Sequence, residues 1–189
     1  MSVFVCAAAL FAQAPVPQPV SQPTAAGLEP AWYIAPVLQE MGDHAARLLP
    51  VLDRIDVKSW IAKGASETYA DQLQSSKDQA KALAGGARAL SRNPEKLSAS
   101  LELFFRIEGL DTMLASLEDG IRKYQDPQLA RQLAAVNAEN GANRERFRRY
   151  IVNLAADRED RFEVMDREAQ GCRSTLTPMV PPKNSGRKK

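Results

Sequence analysis

The stretch that decides the fold is residues 94–124, PEKLSASLELFFRIEGLDTMLASLEDGIRKY, together with residues 127–172, which follow across a two-residue link. In the first segment apolar side chains recur in steps of three and four, the spacing of an amphipathic helix. They are Leu97, Leu101, Phe104, Ile107, Leu110, Leu114, Leu117, Ile121 and Tyr124. Because so short a link forces neighbouring helices to run antiparallel, the two segments predict a helical hairpin.

Both helices of this hairpin have a start signal in the sequence. Asn93 can accept hydrogen bonds from the first backbone amides of a helix, and Pro94 tolerates a position where no amide hydrogen is needed. Asp126 and Pro127 repeat the arrangement. Since a proline disfavours helical geometry at the preceding residue, the first helix is expected to end by Gln125 and the next to begin at once.

Two further helices are expected upstream, at about residues 36–55 and 66–90, each with an apolar stripe at the same spacing. The composition favours Ala, Leu, Arg, Glu and Gln, which form helices well, and aromatic residues are only 6%. We therefore predict an all-α fold, an antiparallel up-down-up-down four-helix bundle over residues 31–173 with long helices and no sheet.

Gly85 and Gly86, within the second of these upstream helices, predict a close contact between helices.

The two ends of the chain differ in composition from this bundle. Residues 1–14, MSVFVCAAALFAQA, are uncharged and apolar and end in a small-x-small sequence, which predicts a secretory signal peptide. Residues 15–30 carry five prolines and predict a semi-extended spacer. Residues 174–189 end in KNSGRKK and predict a disordered basic tail. A periplasmic or secreted location follows, with a membrane tether through uncleaved residues 1–14 as the alternative.

Charge and motifs favour neither nucleic-acid binding nor catalysis. The 25 basic and 23 acidic residues give a net charge of +2, so bulk charge does not suggest nucleic acid. The basic segment 144–150, RERFRRY, is interpreted as a solvated helix face because Glu145 precedes Arg149 by four residues, and the pairs Asp157–Arg161 and Glu163–Arg167 repeat this spacing further along. With His44 as its single histidine, the chain cannot supply the paired Glu-x-x-His units of a di-iron bundle. We expect no catalytic residue, metal site or cofactor.

One polar layer is expected in the core of the predicted bundle. Counting residues from the turns places polar side chains of three helices at one height, where the apolar stripes are interrupted. The candidate residues are Ser76, Glu108, Asn140 and Asn143. Such a layer is best interpreted as a device that fixes helix register, and the alternative is a seat for a small polar ligand or ion.

Cys172 is the one cysteine that remains if the predicted signal is removed. It stands at the end of an apolar stripe that includes Phe162, Met165 and Ala169, where it can pack as a small apolar side chain. In an oxidising compartment an unpaired cysteine can also link two chains, so an intermolecular disulfide and a homodimer are the alternative.

These observations predict a non-enzymatic, exported helical-bundle protein that acts through its surface. The expected role is that of a scaffold, adaptor or chaperone-like module with a protein partner in the cell envelope. The alternative is a sensor or binding module that holds a small ligand in the polar layer. A pocket open to solvent beside Glu108 and Asn143 would favour the alternative, whereas a closed layer would favour the surface role.

Overall fold

A computed structural model describes residues 28–176, and all the regular structure within them is helical, as predicted. The predicted signal segment, most of the Pro-rich spacer and most of the basic tail lie outside these residues. Six helices follow one another: α1 (Ala31–Leu52), α2 (Val57–Ala62), α3 (Thr68–Leu90), α4 (Leu97–Tyr124), α5 (Pro127–Ala138) and α6 (Gly141–Leu176). The last helix continues to Leu176 and so includes the first residues of the predicted tail.

The first long helix, α1, packs along α3. Residues later in α1 contact residues earlier in α3. Just past the middle of α1, Asp43 accepts a hydrogen bond from Arg88 at 2.8 Å. Near its end, Asp53 pairs with Lys77 at 2.8 Å. Because the partner number falls as the α1 number rises, these two helices are antiparallel neighbours.

The same order holds between α3 and α4. Gln72 Nε2 donates to the carbonyl of Met113 at 3.2 Å, and Arg106 donates to Gln79 Oε1 at 2.9 Å. Helix α4 also packs on α5, and α1 contacts both α5 and α6. Asp126 caps α5 by accepting from the amide of Gln128 at 2.8 Å, as its position before Pro127 predicts.

The buried face of α4 differs from the predicted stripe at its first turns. Its buried residues are Ser100, Leu103, Ile107, Leu110, Leu114, Leu117, Gly120 and Ile121. From Ser100 to Leu117 the steps alternate between three and four, and Ile121 continues the alternation with Gly120 buried beside it. The predicted set, with Leu101 and Phe104, contained a break. Leu101 is exposed and Phe104 half-buried. The apparent loss of alternation near residue 108 therefore came from counting side chains that lie outside the core.

The predicted fourth helix is divided in two. A turn at Glu139 and Asn140 separates α5 from α6. Asn140 and Gly141 are weak helix formers, which favours a break at this position. Side chains on α1 and α6 donate hydrogen bonds to the backbone carbonyls that the break leaves without amide partners. Helix α6 is 36 residues long, roughly 54 Å at about 1.5 Å per residue.

Close approach of helices occurs at different glycines from the predicted pair. A Cβ on Gly85 would meet nothing within 4 Å, and one on Gly86 would meet only a methyl group of Leu103 at 3.4 Å. The expectation of a tight contact at that pair is therefore wrong. At Gly42, on α1, a Cβ would lie 3.1 Å from the carbonyl oxygen of Ala84 on α3, so the backbones approach closely there.

An aromatic cluster closes one end of the core. Trp60, on the short helix α2, is fully buried, and its ring lies 5.4 Å from that of Tyr69 and 6.2 Å from that of Tyr124. Its indole Nε1 donates to Oε1 of Gln125 at 3.1 Å. The same amide donates through Nε2 to the carbonyl of Arg54 at 2.9 Å. Gln125 thus ties the link after α4 to the link after α1.

Candidate functional site: a polar cluster in the core and an apolar stripe on α6

The four residues of the predicted polar layer do not all meet in the core. Ser76 is fully buried, but its hydroxyl donates to the carbonyl of Gln72 on its own helix at 2.8 Å. Asn140 is buried, with 5% of its surface exposed, and Asn143 is half-buried. Glu108 is exposed.

The prediction that Glu108 is buried is wrong, and the reason is its phase on α4. Ile107 and Leu110 are buried there, which turns Glu108 toward solvent. The acidic residue that α4 contributes is Asp111, one position past Leu110, whose side chain is 33% exposed. A polar cluster therefore exists near the predicted height, with different members.

This cluster is built around the break between α5 and α6. The last carbonyls of a helix have no amide partner further along it. At the end of α5, the carbonyl of Val136 accepts a hydrogen bond from Nε2 of His44 on α1. The neighbouring carbonyl of Asn137 accepts from Arg144 on α6 at 3.0 Å. Two side chains thus satisfy backbone groups that the break leaves open.

Arg144 also joins the cluster to α4. Its Nη1 pairs with Oδ2 of Asp111, and its side chain is 21% exposed. Burial lowers the pKa of Arg144, while the charge of nearby Glu108 acts in the opposite direction. Because arginine retains its proton at any ordinary pH, the pair stays ionised and links α4, α5 and α6 at one point.

The space inside the cluster is small. It amounts to about 10 Å³ between His44, Asp111, Asn137, Asn140 and Arg144, with apolar side chains closing the remainder. That is close to the volume needed for one water molecule. Oδ1 of Asn140 is buried and has no hydrogen-bond partner among residues 28–176. The cluster thus has room for about one water molecule, which can satisfy this acceptor oxygen.

His44 has the electrostatics of a structural residue. Only 4% of its surface is exposed. Burial lowers its pKa below 6.5, and Arg47 and Arg144 act in the same direction, whereas the Val136 carbonyl and Glu139 oppose it. The imidazole is therefore neutral near pH 7 and donates one hydrogen bond across the helix break.

The cluster supplies hydrogen bonds and one ion pair, with no ligand set for a metal. Among residues 28–176, no group of three or more His, Cys, Asp or Glu side chains is placed to hold a metal ion. Within the same residues, no helix combines the length and apolarity needed to cross a membrane.

A second feature, which we call the α6 stripe, consists of Phe162, Met165, Ala169 and Cys172. Between Gly141 and residue 173 of α6, Leu154 is the last buried residue, and every residue from 159 to 173 is exposed. Phe162 is 70% exposed and Met165 is 65% exposed. These two large apolar side chains stand at helical spacing on a part of α6 whose other residues are mostly polar or charged, so they form an exposed apolar face.

The α6 stripe continues the face by which α6 packs in the core. Leu154 is buried, and Arg158, four residues later, donates to the carbonyl of Glu95 just before α4 at 3.1 Å. Phe162 follows at the same spacing and borders a groove of about 370 Å³, whose opposite wall is Leu97 at the start of α4. The stripe therefore faces across the end of the helix bundle.

The basic segment 144–150 is divided between core and surface. Phe147 and Tyr150 are buried. Arg148 donates to Glu145 at 2.9 Å, and Arg149 pairs with the same carboxylate at 3.9 Å. Arg148 and Arg149 thus lie on a solvated face, as interpreted, whereas Arg144 and Arg146 are half-buried and pair with Asp111 and Glu29. The interpretation holds for only part of the segment.

Cys172 lies on the exposed part of α6. The interpretation that it packs as a core residue is wrong, because the apolar stripe that carries it extends beyond the bundle. An intermolecular disulfide at this position stays a prediction.

The sequence contained a signal for the stripe, since its spacing was recognised, but that spacing alone was interpreted as core. What separates it from the core is its position on the part of α6, residues 159–173, where every described residue is exposed.

No family model, curated protein or solved structure matches the chain.

Proposed function

We propose that this chain is a non-enzymatic, exported helical-bundle protein that acts as an interaction module of the cell envelope, in the manner of a scaffold, adaptor or chaperone-like partner. The binding surface in this proposal is the α6 stripe, and the helix bundle serves as the rigid body that carries it. The polar cluster around His44 and Arg144 has a structural role, in holding α5 and α6 in register with α1 and α4.

The observation that carries the proposal is the exposure of the stripe. Phe162 and Met165 are 70% and 65% exposed, on a helix that projects past the bundle. Scattered surface apolar residues are ordinary, but two large side chains on one face of a projecting helix, beside an apolar groove, are typical of a helix that binds a partner. Charged residues on the other faces of α6 keep it soluble until it binds.

The arrangement of the bundle belongs to the proposal. We interpret the fold as an up-down-up-down bundle of four rods, α1, α3, α4 and the broken rod α5–α6. Antiparallel contacts between α1 and α3 and between α3 and α4 support it. So does the ion pair of Arg47 on α1 with Glu139 after α5, at 3.5 Å. In this arrangement the described chain begins at the end from which the exposed part of α6 projects, because Glu29 pairs with Arg146.

The small-ligand alternative receives less support from the geometry. The polar cluster encloses about 10 Å³, room for one water molecule, whereas pockets for small molecules are typically about 300–1,000 Å³. A ligand at this place would require α5 to move away from α1, which would break the hydrogen bond between His44 and Val136.

The proposed export rests on residues 1–14, outside the described part of the chain. Its test is separate from that of the binding surface: fractionation of cells producing the full chain, followed by mass spectrometry of its N-terminus. Recovery in the cytoplasmic fraction with residues 1–14 intact would reject export and leave the binding surface untouched.

The binding surface is tested with a matched pair of variants on α6. Phe162→Glu places a charge on the stripe, and Val164→Glu places the same charge on a neighbouring exposed residue off the stripe. Tagged full-length chains are used to capture proteins from the envelope fraction. We expect Val164→Glu to retain the proteins bound by the unmodified chain and Phe162→Glu to lose them. Equal capture by the two variants would reject the stripe as the surface.

A further inference from the structure

We infer that the groove between α3 and α4 binds a free linear alkyl carboxylate, with the carboxylate beside Lys96 and the alkyl chain passing over Gly86. The groove lies apart from the α6 stripe and from the polar cluster, so the inference is independent of the proposed function. It follows from the shape of the groove, from a glycine that keeps it open, and from the charge at one of its ends.

The groove is large enough for a small ligand. Its volume is about 260 Å³, close to the lower end of the range of about 300–1,000 Å³ for small-molecule sites. Leu90 and Leu103 are buried and form its apolar floor. Small residues line its walls, and these are Ala82, Gly86 and Ala89 of α3 and Ala99 of α4.

The groove is elongated along the helix axes. Ala82, Gly86 and Ala89 stand at helical spacing on one face of α3, and the first and last are about 10 Å apart at 1.5 Å per residue. Packed helices lie only about 8–10 Å apart between their axes, so the space between their surfaces is much narrower than this length. Such a space suits an extended hydrocarbon chain better than a broad ring system.

Gly86 keeps the middle of the groove open. A glycine weakens a helix by about 1 kcal/mol relative to alanine, and Gly86 makes no close helix contact that would offset this cost. A Cβ at residue 86 would lie 3.4 Å from a methyl group of Leu103, on the floor of the groove, whereas one on Gly85 would meet nothing within 4 Å. A larger side chain at residue 86 would therefore fill space that a ligand can occupy.

The charge at the groove favours an anion. Lys96 lines the groove, and among residues 28–176 its ammonium group has no ion-pair partner. Glu102 also lines the groove, but it is paired with Arg106 on the same helix at 3.3 Å. The unpaired charge at the groove is thus that of Lys96, and a carboxylate beside it would form a charge-assisted hydrogen bond.

The position of Lys96 fixes the direction of the ligand. Residues 91–96 join α3 to α4, so this turn closes one end of the groove. Lys96 stands in the turn together with Asn93, whose side-chain amide can donate a second hydrogen bond to a carboxylate. With its carboxylate at this end, the ligand extends its chain past Gly86 toward Ala82, over the apolar floor.

The test is isothermal titration calorimetry of the full-length chain with octanoate, a linear alkyl carboxylate of similar length to the groove. We expect octanoate to bind, and hexanoate to bind roughly tenfold more weakly because it buries two fewer methylene groups. Octyltrimethylammonium, with the same chain and the opposite charge, is expected not to bind. Lys96→Gln should weaken the binding of octanoate about tenfold and leave the binding of octan-1-ol unchanged.

A matched pair of glycine variants tests the location. Gly86→Leu places a side chain in the groove, and Gly85→Leu places the same side chain on the neighbouring residue, which does not line it. Both variants remove a glycine from α3, so both are expected to unfold at a higher temperature than the unmodified chain. We expect Gly85→Leu to bind octanoate as the unmodified chain does, and Gly86→Leu to lose this binding.

Absence of octanoate binding to the unmodified chain, or equal binding to the two leucine variants, would overturn the inference. Equal affinities for octanoate and octyltrimethylammonium would overturn the assignment of an anion. If octanoate does not bind and the chain forms a dimer that only Gly86→Leu disrupts, the groove holds a second copy and the inference is rejected. None of these residues lies on α6, so each outcome leaves the test of the α6 stripe unaffected.

Discussion

The substitution Gly120→Ala probes the packing of the aromatic cluster with a single methyl group. Gly120 is buried on α4, and a Cβ built there would lie 2.7 Å from Cζ3 of Trp60 and 3.2 Å from Cε1 of Tyr69. Trp60 cannot retreat easily, because it is fully buried and its indole nitrogen is bonded to Gln125. The added methyl group therefore forces the rings apart.

The expected magnitude is worked against a control on the same helix. Gly109 also lies within α4, and a Cβ there would meet nothing within 4 Å. Replacing an exposed helical glycine by alanine raises the free energy of unfolding by about 1 kcal/mol. Overpacking a closely packed core costs about 1–3 kcal/mol. We expect Gly109→Ala to be more stable than the unmodified chain, and Gly120→Ala to be about 1–3 kcal/mol less stable than Gly109→Ala.

The assay is urea unfolding of both variants followed by far-ultraviolet circular dichroism. A third measurement combines Gly120→Ala with Trp60→Leu, in which the smaller side chain leaves room for the methyl group. The cost of the alanine should then fall, as expected for directly coupled residues. Equal stability of the two single variants would refute the packing described for the aromatic cluster.

Three further predictions concern stability. Burial lowers the pKa of His44 below 6.5 in the folded chain, so as the pH falls the unfolded chain takes up this proton before the folded chain does. The free energy of unfolding should therefore decrease below about pH 6.5. Urea titrations at several pH values should show that His44→Gln removes this decrease. Tyr150 is 1% exposed, and its hydroxyl has no hydrogen-bond partner within the described part of the chain. Tyr150→Phe should therefore raise the unfolding free energy by about 1 kcal/mol, and a decrease would contradict this description of the hydroxyl. Gly42→Ala, with its Cβ 3.1 Å from the Ala84 carbonyl oxygen, should lower the melting temperature by separating α1 from α3, and an unchanged melting temperature would contradict that close approach.

Helical periodicity was sufficient to predict that the regular structure of the described residues is helical and that helices end at Leu90 and Tyr124. It did not predict the short helix α2 or the break between α5 and α6. The end of α4 at Tyr124 and the start of α5 at Pro127 follow from the Asp126-Pro127 pair, because proline limits the residue before it whatever the tertiary structure. Local rules of this kind act within a few residues, so they can be applied to a sequence directly.

The rotation of α4 could not be predicted with the same certainty. Leu103 and Phe104 are adjacent and both apolar, and either completes a helical stripe with Ile107. Only packing against the other helices selects Leu103 for the core. Choosing Phe104 shifted the predicted face, created an apparent break and placed Glu108 in the core by mistake.

The polar cluster was predicted only in outline, because most of its members are separated widely in sequence. Asn140 was recognised as an interruption of an apolar stripe. His44 and Arg144, by contrast, enter the cluster because the helix break exposes the carbonyls of Val136 and Asn137. Since the break itself was not predicted, no sequence signal pointed to these side chains as its partners.

The α6 stripe raises the opposite difficulty, because its spacing is the same inside and outside a core. Phe162 and Met165 look like core residues until the ends of the other helices are known. Their exposure is a property of the whole fold, in which α6 is longer than the bundle around it.

The most direct test of the α6 stripe as an interaction surface is photo-crosslinking in intact cells that produce the chain. A benzophenone side chain is introduced at Met165, on the stripe, or at Arg167, which is exposed on the opposite face of the same helix. We predict that irradiation yields adducts from position 165 far in excess of those from position 167, at twice the monomer mass where the partner is a second copy. Equal yields from the two positions, or none from position 165, would contradict the account.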